Sequence, residues 1–191
     1  MSLAMTIAVP LLVVAGCGST SSSPATKPPA TNAPHRSSGV ADSRCSESRL
    51  TAHVVSGGSE ASQPWLIIDV INHGPRCTID GYPRIVAAIG HSWNGRNQSL
   101  SIRVRDGSDY EHGDPGPRAL ELLRGGSASF AAGTDTASGT NYLVTSLTVA
   151  LPGSPGTLRV PVHTGASSSA GKPVYIGVTA LVNGSKGPPA Y

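Results

Sequence analysis

Between Trp65 and Pro83 the chain has little choice of structure. Trp65-Leu66-Ile67-Ile68, continued by Val70 and Ile71, is an apolar run rich in β-branched and aromatic residues and too short for a helix of average length. It predicts a central strand. Asn72-His73-Gly74-Pro75 ends that strand, because glycine permits positive φ and proline cannot enter a central ladder. Cys77 follows, and Asp80-Gly81-Tyr82-Pro83 makes a second turn before the apolar segment Arg84 to Ile89.

Strand patterns recur along the rest of the chain and helical ones do not. Leu50, Ala52 and Val54 alternate with more polar residues ahead of Gly57-Gly58, which predicts a strand closed by a turn at the glycines. Ser99 to Val104 alternates in the same way. Ala119 to Leu123 and Ala128 to Ala132 flank Gly125-Gly126 and predict a hairpin. Thr145 to Leu151, Thr157 to Val162 and Val174 to Leu181 are further strands, with Pro161 assigning the second to a sheet edge or a strand end. Plentiful glycine (23) and proline (16) against 4% aromatic residues suit short strands joined by tight turns. The expected fold is all-β, an antiparallel β-sandwich, with an immunoglobulin-like arrangement as one form of it.

Residues 1–16 predict a lipoprotein signal peptide. Leu3 to Gly16 is apolar, contains Pro10, and is shorter than the roughly 18 residues of a spanning helix. It ends in Val14-Ala15-Gly16-Cys17, which resembles the lipobox of bacterial lipoproteins, so Cys17 is expected to carry a diacylglyceryl group. A plain secretory signal is the alternative. No cationic residue precedes the apolar run, and the expectation is a translation start upstream of Met1. Residues 17–41 then form a tether rich in Ser, Thr and Pro, with too few large apolar side chains to offset the entropy of ordering. Residues 42–191 are expected to form one domain on the extracytoplasmic face of the cell membrane.

Cysteine usage agrees with that location. Of three cysteines, lipidation uses Cys17 and leaves Cys45 and Cys77, which are expected to pair in an oxidising compartment. A redox or metal role for the pair lacks C-x-x-C or Cys/His ligand spacing. Charge argues against nucleic acid. Lys27 and Arg36 are the charged residues ahead of Asp42, so 12 of the 14 basic residues face all 11 acidic ones in the domain.

The order of these motifs resembles domain of unknown function 4232, found mostly in actinobacterial secreted proteins and lipoproteins. The resemblance runs from Cys45 before the strand at Leu50, through Asn72, Cys77 and Gly81-Tyr82-Pro83. It continues with Leu120 to Ala128, Leu147-Thr148-Val149 and Leu151-Pro152-Gly153. It implies a disulfide-bonded extracytoplasmic domain and brings no reaction, cofactor or ligand. Many members carry a further cysteine in the second half, which this chain lacks.

Residues that carry chemistry are sparse. Ser169-Ala170-Gly171-Lys172 satisfies S-x-x-K, but in a Ser/Gly-rich loop and without companion motifs. His53, His73, His91, His112 and His163 are expected at the surface or in turns. The loop Arg103 to Pro117 gathers Asp106, Asp109, Glu111 and Asp114, weak candidates for a hard cation whose spacing fits no calcium-loop consensus. Arg103 and Arg105 offer neutralisation instead. His91-Ser92-Trp93-Asn94-Gly95 predicts a turn; Trp93 is a candidate partner contact if exposed, though burial under a neighbouring strand is the stronger expectation. The functional expectation is a non-catalytic, cofactor-free, lipid-anchored module that binds a protein or glycan of the cell envelope. An envelope-acting enzyme and a passive spacer are the alternatives.

Overall fold

The computed structural model describes residues 43–60, 63–107, 112–135 and 138–189. Cys17, the lipobox and the tether lie outside the described residues, as do Asp109 and Glu111. One 3-10 turn, Glu47–Arg49, precedes twelve strands. They are β1 (Leu50–Glu60), β2 (Gln63–Asn72), β3 (Cys77–Ile79), β4 (Arg84–Ser92), β5 (Gln98–Ser99) and β6 (Ile102–Asp106) in the first half. The second half holds β7 (Leu120–Leu122), β8 (Ser127–Thr134), β9 (Thr140–Ala150), β10 (Thr157–Ser168), β11 (Val174–Val178) and β12 (Val182–Asn183).

These strands build a β-sandwich. One sheet runs β1-β2-β8-β11-β6, with β12 also on β8; the other runs β10-β9-β4-β5. β3 and β7 pair separately, beside the disulfide. Among the described residues the strands pair antiparallel except β11 with β6, and an isolated bridge joins Arg44 to Thr78 in parallel. Leu66, Ile68 and Val70 of β2 face a shared core with Phe130 of β8, Val149 of β9 and Val160 of β10. The expected central strand is therefore β2, flanked by β1 and β8.

Its apolar run is continuous because both faces are covered. Ile67 points away from the shared core and is buried all the same. Gly187 closes over it: a Cβ there would lie 2.5 Å from Ile67 Cδ1.

Four expectations are corrected by pairing. Gly57 and Gly58 lie inside β1, which continues to Glu60, instead of forming a turn. A Cβ on Gly57 would lie 2.9 Å from Leu66 Cδ2, and one on Gly58 equally near the Trp65 ring. The glycines make room for bulky cross-strand neighbours. The segment Ser99 to Val104 is divided between sheets: Leu100 N–H donates to Ala88 O of β4, while Ser101 O accepts from Val174 N–H. Gly125-Gly126 is a corner and not a hairpin, since β7 pairs with β3 and β8 with β2. Finally, β11 stops at Val178, where the Thr179 hydroxyl replaces a ladder partner by accepting from Ala131 N–H. Pro161 does lie on an edge strand, β10, next to a register shift.

Cys45 and Cys77 are joined, with Cα atoms 4.9 Å apart across a sequence separation of 32. The link ties the segment before β1 to β3. On the same side of the fold, Arg44 pairs with Asp80 at 2.6 Å.

Candidate functional site

Trp93 occupies the turn after β4, closed by Gly95 N–H donating to Ser92 O at 2.8 Å. Burial under a strand was expected, yet Trp93 is 94% exposed. Among the described residues no strand lies over the turn.

The indole stands at a groove of about 540 Å³ whose other lining residues are His91, Asn141, Tyr142, Leu143 and His163. Strand register assembles it. His91 on β4 is level with Leu143 on β9, which is level with Gly165 on β10, and Ser92 is level with Tyr142. The lining contains neither a carboxylate nor a Lys or Arg. It offers aromatic faces, one aliphatic side chain, a carboxamide and imidazoles.

His163 also lines a second depression of about 650 Å³, together with Val54, Pro64, Trp65 and Pro161. Thus each depression has one tryptophan, and the imidazole of His163 borders both. The register shift after Pro161 lies at this part of β10. Trp65 is held in place by the edge of His112, with ring centroids 4.9 Å apart. His112 is buried, which corrects its assignment to the surface.

The acidic loop is reached in part. Asp114 Oδ1 accepts from Ala180 N–H at 2.9 Å and Oδ2 from the Tyr82 hydroxyl at 2.5 Å. Both oxygens are thus used to fasten the loop to the end of β11 and to the turn before β4. The bond to Asp114 pushes the Tyr82 hydroxyl up to about 12, since loss of its proton would set two anions together. Asp106 is exposed, and no group of three metal-ligating side chains occurs among the described residues.

One row across the larger sheet does contain His, Asp and Ser: His53 on β1, Asp69 on β2 and Ser129 on β8 are level with one another. Asp69 is in the middle, where a nucleophile's base would need to be. Ser129 is also committed elsewhere, donating to Gly184 O and accepting from Gly187 N–H. The serine thus holds the C-terminal segment to β8.

Asp69 is nevertheless electrostatically unusual. It is buried, and its Oδ1 has no hydrogen-bond partner among the described residues. Burial raises its carboxyl above the usual carboxylate range, and attraction to His53 offsets this only in part. The unfolded chain therefore gives up this proton at lower pH than the folded one. Ionised Asp69 opposes folding at neutral pH, and the penalty declines as pH falls below its folded-state pKa and is gone below the unfolded-state one. Asp69→Asn is expected to raise stability by about 1 kcal/mol at neutral pH. The gain should fade in acid. Melting curves from neutral to acidic pH check this, and a gain independent of pH would exclude the carboxylate's charge as its cause.

The site is an aromatic groove without carboxylate, Lys or Arg side chains, on the smaller sheet of a disulfide-linked β-sandwich. No family model, curated protein or solved structure matches the chain. The HSWNG turn was a usable signal for Trp93. Asn141, Tyr142, Leu143 and His163 had none, because only strand register brings them to it.

Proposed function

We propose that the protein is a lipid-anchored, extracytoplasmic, non-catalytic binding module whose Trp93 groove takes a neutral glycan segment of the cell envelope. The carrying observation is the 94% exposure of Trp93 beside Tyr142 and His163 in a groove without formal charge. Sugar rings present C–H faces that pack on indole and phenol rings, while their hydroxyls bond to imidazole and carboxamide groups. An exposed tryptophan at a groove can anchor a partner that covers it. The lipobox-like Val14-Ala15-Gly16-Cys17 supports the anchor and an extracytoplasmic groove. The motif order that resembles domain of unknown function 4232 supports the same location.

The test is a glycan array of neutral and acidic oligosaccharides probed with the mature chain. Neutral glycans are expected to bind, and Trp93→Ala to weaken them by about 30-fold, the loss of one central aromatic anchor. Failure to bind any glycan, or equal binding by Trp93→Ala, removes the glycan assignment. Radiolabelled palmitate fed to cells tests the anchor separately, with Cys17→Ala expected to lose the label.

A further inference from the structure

Two strand edges lie open along one seam of the sandwich, away from Trp93. β6 ends the larger sheet and pairs only with β11, so its other edge, Ile102–Asp106, has no partner strand among the described residues. Opposite it, β5 pairs with β4 at Ile89 and Gly90, and Leu100 adds one bond to Ala88. The residues from Arg84 to Ala87 have no strand partner on that side among the described residues. Both edges border one cleft of about 680 Å³. Arg84 and Val86 line it from β4, and Ile102, Arg103, Val104 and Asp106 from β6.

Open edges are usually blunted by shortness, by charge or by a bulge. Here β6 carries charge at Arg103, Arg105 and Asp106, and β4 shifts register beside Val86, yet β6 keeps five residues in regular register with β11 and Val86 is apolar and 48% exposed. Arg84 and Arg103 make no ion pair among the described residues. The seam therefore combines strand edges without a partner strand among the described residues, an apolar strip and two arginines against the one carboxylate of Asp106.

That combination selects among occupants. A second copy pairing antiparallel through β6 about Val104 would set Arg103 opposite Arg105, an unfavourable like-charge pair. The chain's own tether carries only Lys27 and Arg36 as charged residues, which have the wrong sign. We propose that the seam is a β-augmentation site for an extended acidic segment of a partner protein. The segment adds a strand to β6, sets carboxylates against Arg84 and Arg103, and lays small aliphatic side chains over Val86 and Val104.

The probe is a phage-displayed library of random peptides panned on the mature chain. Enriched peptides are expected to alternate Asp or Glu with aliphatic residues and to slow hydrogen exchange at Ile102–Asp106. Arg84→Glu combined with Arg103→Glu should weaken them about tenfold or more, and added salt should weaken them on the unmodified chain. Because both arginines are exposed, circular dichroism should show an unchanged fold; Arg84→Gln with Arg103→Gln gives a charge-neutral check. Trp93→Ala should leave peptide binding as it was, which separates this site from the glycan groove. The proposal is overturned if nothing is enriched, if enriched peptides lack acidic residues, or if they bind the double variants as tightly as the unmodified chain.

Discussion

Replacing Cys45 and Cys77 together by alanine is expected to remove about 4 kcal/mol of stability and lower the melting temperature by about 10 °C. The bond closes a loop spanning a separation of 32 residues and so restricts the unfolded chain before any native contact is counted. It acts in the folded state too. Cys45 and Cys77 are buried with Leu50, Ile79, Leu120 and Leu122 at one end of the core. Cys45 N–H donates to Thr78 O and Thr78 N–H to Ser43 O, so the segment before β1 depends on β3 for its position. Thermal unfolding with and without reductant, beside the double variant, checks this. A fall of only a degree or two would mean that the neighbouring contacts hold the segment without the covalent bond.

Asn72→Ala is expected to cost about 3 kcal/mol, near 8 °C in melting temperature, although it removes only a carboxamide. Asn72 is 1% exposed at the end of β2. Its Nδ2 donates to Pro75 O at 2.8 Å and Leu122 O at 3.1 Å, and its Oδ1 accepts from Gly74 N–H at 2.8 Å. Its backbone completes the arrangement: Asn72 N–H donates to Gly126 O, and Gly125 N–H donates to Asn72 O. One residue thus joins the turn after β2 to the corner between β7 and β8. Alanine would leave those backbone groups buried or half-buried without partners. Asn72→Asp keeps Oδ1 but sets a carboxylate against two carbonyls, and should be no better. Exposed Asn94→Ala serves as the control and should leave the melting temperature unchanged. If Asn72→Ala matches that control, the two connections are held by backbone bonds alone.

The disulfide pair and Asn72 differ in how far the chain's local pattern reveals them. Pairing of Cys45 with Cys77 was legible because the cysteine count leaves few choices once Cys17 is assigned to the anchor. Asn72 was visible as a turn residue, but its bonds to Leu122 lie 50 positions away. No local pattern encodes them. The same holds at Gly57 and Gly58, where turn chemistry pointed to a bend and the demands of Leu66 and Trp65 on the neighbouring strand produced continuous β1. At Leu100 to Val104 the alternation correctly marked which side chains pack inward, yet the backbone changes sheets there without disturbing that alternation.

The candidate groove divides in the same way. Its turn and Trp93 were readable, because a Ser-Trp-Asn-Gly sequence sets local backbone geometry within a few residues. Exposure was not, since burial depends on what the rest of the chain lays over the turn. Tyr142 and His163 reach Trp93 only after β4, β9 and β10 have aligned. The amino-acid sequence determined the all-β class, most strand positions and the disulfide through short-range periodicity, turn chemistry and residue counts. Tertiary structure alone decided which strands became partners, which edges stayed open and which aromatic remained in water. Those choices are settled by long-range packing and hydrogen bonding, whose participants are far apart along the chain.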